Sequence, residues 1–135
     1  MTTTQTSIKH GTWCAHSGSC GTRQVQPEPI LKVGTYQGGS ALISKLTLGG
    51  QSLYILGNNY PRYFTELKEA VITAYDHAVR ERLTYKRSCH GRDVADGAIR
   101  DILNWVIDNS HKDYLSGVSK DIVAINNRYG FDHTA

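Results

Sequence analysis

Six residues in this chain carry side chains that structural metal sites use: His10, Cys14, His16, Cys20, Cys89 and His90. A structural zinc site needs about four convergent nitrogen or sulfur donors, with its cysteines usually two to four residues apart. Five residues separate Cys14 from Cys20 and no Cys-x-x-Cys occurs. The expectation is therefore no cofactor, with Cys14, Cys20, Cys89 and His90 as the candidate ligands if zinc is held. A cysteine nucleophile needs a neighbouring base, but Cys89 and His90 are adjacent, and adjacent side chains point apart more often than together. The sequence has no P-loop, no Gly-x-Ser-x-Gly and no His-Glu-x-x-His. Its acidic residues fall mostly on helix faces, so the expected protein is not an enzyme.

Binding chemistry is better represented. Lys86, Arg87 and Arg92, with Arg80, Arg82 and Tyr85 just upstream, supply the cations and donors that phosphate contacts require. The same residues also suit a solvated helix end, where cations are favourable. A second group, Asn58, Asn59, Tyr60, Arg62 and Tyr63 with Tyr54, combines aromatic faces, amides and a guanidinium. That set fits a nucleotide or a protein surface equally well. A formal charge of +3 and a pI near 8.8 permit nucleic acid without demanding it. No apolar run approaches membrane-spanning length, and Met1 to Thr6 do not read as a leader, so no membrane partner is expected. Three cysteines cannot all pair within one chain and are too sparse for a disulfide scaffold. This points to a reducing, cytoplasmic setting.

The elements that must position these residues read as one α+β domain, because 135 residues close a single core. Residues 1–29 are a polar N-terminal arm ending in Pro27-Glu28-Pro29. Residues 30–83 read as a three-stranded antiparallel meander packed on one helix. Its strands are residues 30–36, 41–48 and 52–56, joined by Gly38-Gly39 and Gly49-Gly50. Neither face of the second strand is purely polar, so both faces are expected to be partly covered. Thr65 is the expected cap of a helix ending near Leu83, whose Leu67, Ala70, Val71, Ala74, Ala78 and Val79 make an apolar stripe. Glu69, Asp76, His77 and Arg80 fall on the other side and read as a solvated face, with Asp76 and Arg80 paired one turn apart. Residues 84–135 form a helical extension on the same core. It holds a basic connection from Tyr85 to Arg92, a helix at 93–109 with a wide stripe that includes Ile107, and a helix at 112–127 capped by Gly130.

Gly34-Thr35-Tyr36-Gln37-Gly38-Gly39, then Leu48-Gly49-Gly50-Gln51-Ser52-Leu53-Tyr54-Ile55-Leu56-Gly57, then Ala74-Tyr75-Asp76-His77-Ala78 resemble the AP2 DNA-binding domain over about residues 33–83. The resemblance implies three antiparallel strands and one helix, and a phage-type DNA-binding appendage. AP2 domains read the major groove with arginines and tryptophans on the strands, whereas these strands offer Lys32 and Lys45 as their cations. The expected function is thus a small non-enzymatic, phage-encoded protein that contacts DNA mainly through phosphates, using Lys32, Lys45, Arg62, Arg82, Lys86, Arg87 and Arg92. The alternative is an anti-defence protein that inhibits a host complex by protein contact or sequesters a nucleotide signal, through the 58–63 loop and the helical end. A homodimer stays open in either case. DNA binding requires Lys32, Lys45, Arg62, Lys86 and Arg87 on one continuous face, whereas scattered cations favour the alternative.

Overall fold

A computed structural model describes residues 26–33, 41–57 and 61–132. Among them the chain is α+β. Strands β1 (Glu28–Lys32), β2 (Ala41–Leu48), β3 (Gln51–Leu56) and β4 (Arg62–Phe64) form an antiparallel sheet in the order β1-β2-β3-β4. Helices α1 (Leu67–Thr84), α2 (His90–Asn109) and α3 (Val118–Tyr129) follow, with one 3-10 turn at Asp113–Leu115 before α3.

The β2-β3 hairpin follows from its turn. Gly49 and Gly50 both adopt positive φ, +56° and +82°, as a two-residue turn matched to strand twist requires. This sets Leu48 opposite Gln51 and Ile43 opposite Leu56. The sheet has four strands rather than the expected three, because Arg62–Phe64 returns to pair with Tyr54, Ile55 and Leu56. β1 also starts earlier than expected and takes Glu28 and Pro29 out of the arm. A proline is tolerated there because β1 is an edge strand, with register shifts on both sides of Leu31.

Pairing parity places Ile43, Leu56, Tyr54 and Phe64 on the face of the sheet that meets α1. One core joins that face to all three helices through Leu31, Ile43, Val71, Tyr75, Ile102 and Ile122, among others. Each such side chain contributes about 1.5–3 kcal/mol of burial. The expected stripe of α1 is buried throughout. Leu46 and Ile55 are buried on the other face of the sheet, so neither face is wholly polar.

Helix ends depart from expectation in three places. Glu66, not Thr65, is the N-cap of α1, and no side chain caps it. α2 starts at His90 instead of Asp93, which shortens the basic connection and puts Cys89 at its N-cap. α3 starts at Val118 because Gly117, at φ +83°, breaks the chain after the 3-10 turn, a conformation glycine adopts without strain. Gly130, at φ +61°, ends α3 as expected. Ile107, assigned to the buried stripe of α2, is 71% exposed. No helix among the described residues is long and apolar enough to cross a membrane.

Candidate functional site

The expected cations come from several elements of the fold. Lys32 lies on β1 and Arg62 on β4, the two outer strands of the sheet, about 14 Å apart at the usual strand spacing. Lys45 sits opposite Glu28 and Tyr54, half-buried on the α1 face. Arg82 and Arg92 serve the fold. Arg82 Nε lies 2.7 Å from Asp96 Oδ1 and Arg92 Nε 3.8 Å from Asp96 Oδ2. Arg92 also donates to the Lys86 carbonyl at 2.9 Å. Arg82 thereby ties the end of α1 to α2, and Arg92 ties the connecting turn to α2. Lys86 and Arg87 remain exposed on that turn.

Of the loop set, Asn58, Asn59 and Tyr60 lie outside the described residues, as do Cys14 and Cys20. Arg62 stacks over the Phe64 ring at 5.5 Å. Tyr63 is partly exposed on β4, and burial lifts its phenol above the usual tyrosine range. Cys89 is a free, exposed thiol beside exposed His90. Among the described residues no three His, Cys, Asp or Glu side chains converge to hold a metal ion.

Where side chains do converge is a cleft between α1, α3 and β4. It has a volume of about 550 Å³ and is lined by Arg62, Glu69, Thr73, Asp76, Arg80 and Arg128, among others. The cleft exists because α1 and α3 run side by side in the same direction, as their contacts advance in step. Lys68 Nζ meets Asp121 Oδ2 at 3.4 Å. The Tyr75 hydroxyl donates to Asn126 Oδ1 at 2.6 Å, and the Tyr129 hydroxyl donates to Asp76 Oδ1 at 2.8 Å. On α1 the lining residues Glu69, Ile72, Thr73, Asp76 and Arg80 share one face by three- and four-residue spacing. On α3 the spacing of Asp121, Ala124, Ile125 and Arg128 does the same.

Asp76 is the centre of the far end of this cleft. The expected pair with Arg80 is present at 3.2 Å, and Arg128 Nη1 reaches the same carboxylate at 3.6 Å. Asp76 is therefore no ordinary member of a solvated face, since its side chain is 22% exposed and holds α1 to α3. Sequence reasoning missed Arg128 and Tyr129 as site residues. A basic-aromatic pair immediately before the Gly130 cap was the available signal.

Compared with known proteins, the chain matches no protein-family model, no curated protein and no solved structure.

Proposed function

We propose that this chain is a non-enzymatic binding protein that recognises another protein through the α1-α3-β4 cleft. The observation that carries this reading is the charge pattern of the cleft wall. Three guanidiniums (Arg62, Arg80, Arg128) and three carboxylates (Glu69, Asp76, Asp121) line it. A polyanion entering there meets carboxylates as often as cations, whereas a protein surface carries both signs and can match them. Aromatic and guanidinium groups, enriched where proteins bind proteins, sit within it as Arg128 over Tyr129 and beside it as Arg62 over Phe64.

The pairing of Arg82 and Arg92 with Asp96 supports the same conclusion, because it occupies two of the expected phosphate contacts. So does the sheet face away from α1, where Ser44, Leu46, Leu53 and Ile55 offer no base-reading arginine or tryptophan. One observation favours a second reading, phosphate contact at the α1-α2 turn, because Lys86 and Arg87 stay exposed there.

Affinity purification of the full tagged chain from the cells that encode it separates the two readings. Under the cleft reading, a protein copurifies with the native chain and is lost from Ala124→Trp, which obstructs the cleft, but is kept by Lys86→Ala/Arg87→Ala. Loss with the second variant alone would overturn the cleft reading.

A further inference from the structure

Two arginines in the cleft share one carboxylate. Arg80 presents Nε to Asp76 Oδ2 and Arg128 presents Nη1 to Asp76 Oδ1, while the Tyr129 hydroxyl also occupies Oδ1. The Asp76 cluster therefore carries one positive charge in excess. A guanidinium has five N–H donors in a planar fork, and each of these presents one nitrogen to Asp76. The side chains are 56% and 63% exposed, so the unspent donors border the cleft. At the other end Asp121 is matched by Lys68, leaving the excess cation localised at Arg80 and Arg128.

Resting on the cleft reading above, we propose that Arg80 and Arg128 form the receptor for a single acidic side chain, Asp or Glu, on the protein partner. A carboxylate placed against the two guanidiniums completes a two-plus-two cluster and forms charge-assisted hydrogen bonds with planar donors, the geometry for which arginine is suited. The carboxylates already lining the cleft select against guests of higher charge. One monoanionic group neutralises the excess, whereas a phosphodiester chain brings further charges against Glu69. Asp76 thus has two roles in the free protein. It holds both arginines in place, and it competes with the guest for them.

That competition gives the proposal a test with two opposite signs. The probe is an end-blocked Gly-Asp peptide, Gly-Gly-Asp-Gly-Gly with one carboxylate and an uncharged fluorescent label, titrated with the full chain at low salt and followed by anisotropy. The same peptide with Lys in place of Asp and a labelled duplex DNA serve as the other arms. The Gly-Asp peptide binds, and Arg80→Gln/Arg128→Gln weakens it at least about tenfold, the loss expected for hydrogen bonds to a charged group. Asp76→Asn keeps an acceptor for Tyr129 but removes the competing charge, so it tightens the same peptide. Lys86→Ala/Arg87→Ala leaves it unchanged, and thermal melts confirm that each variant is folded.

The proposal is overturned by a Gly-Asp peptide that does not bind, or by binding that the arginine pair does not affect. It is also overturned by binding that falls with Lys86 and Arg87, or by duplex DNA that binds more tightly at the same arginines. A copurifying partner lost from Ala124→Trp but retained by Arg80→Gln/Arg128→Gln would end this proposal and leave the cleft reading standing. A partner indifferent to Ala124→Trp would end the cleft reading itself.

Discussion

Removing the Tyr75 hydroxyl measures how firmly α3 is held against α1, and with it the rigidity of the cleft wall. The Tyr75 side chain is fully buried, and its hydroxyl donates to Asn126 across 2.6 Å. Tyr75→Phe keeps the ring packing and deletes the bond. Asn126 is only half-buried, so water can reach its orphaned oxygen and the cost lies near the ordinary net value of about 1 kcal/mol. For a chain of this size that corresponds to a fall in melting temperature of about 4 °C. Tyr75→Ala removes the ring as well and costs about 3–5 kcal/mol, or more than about 10 °C. Differential scanning calorimetry of the three proteins at neutral pH reads both steps. A Tyr75→Phe melt identical to the native one would mean the hydrogen bond contributes nothing. A melt as low as that of Tyr75→Ala would mean the hydroxyl, not the ring, holds the helices together.

The same side chain sets an alkaline limit. Burial disfavours its phenolate and raises the phenol above the usual value of 10.0, so the unfolded chain loses this proton first. Its contribution is intact below pH 10.0 and is lost as pH rises through the higher folded value. Native stability measured by urea titration above pH 10.0 should therefore fall more steeply than that of Tyr75→Phe. Asp96→Ala strips the partner from both Arg82 and Arg92. Because Asp96 is half-exposed, the loss should stay below about 1 kcal/mol, and hydrogen exchange should rise at the α1-α2 turn more than in the sheet. Gly91→Ala should be nearly neutral by chemical denaturation. Its new Cβ would lie 2.8 Å from the Tyr85 ring, but that ring end is exposed enough to swing aside, and alanine recovers about 1 kcal/mol of helix propensity. A large loss would show the Tyr85 contact to be rigid.

The parts of the fold carried by local pattern were legible in the sequence. β2 and β3 follow from alternation and the Gly49-Gly50 turn, and α1 follows from an apolar stripe that the structure buries in full. β4 was not legible, because three residues after Pro61 show no alternation and gain strand geometry only by pairing with β3. Pro29 hid the start of β1, since only its edge position makes a proline admissible there. Arg92 read as a phosphate contact because α2 starts at His90, which puts Asp96 one turn on from it, and Arg82 did so because its partner, also Asp96, lies on the next helix. The cleft was invisible for the same reason on a longer scale. Asp76 and Arg80 were a visible pair, but Arg128 and Tyr129 join them from 48 to 53 residues away, a distance that only the packing of α3 closes.

Site-specific photocrosslinking most directly tests whether the cleft, rather than the basic turn, is the working surface. A photoreactive amino acid is placed in turn at Thr73, Ala124 and Arg87 of the full chain in the cells that encode it. Protein adducts are expected from positions 73 and 124 and none from position 87. Nucleic-acid adducts from position 87, with positions 73 and 124 silent, would contradict it.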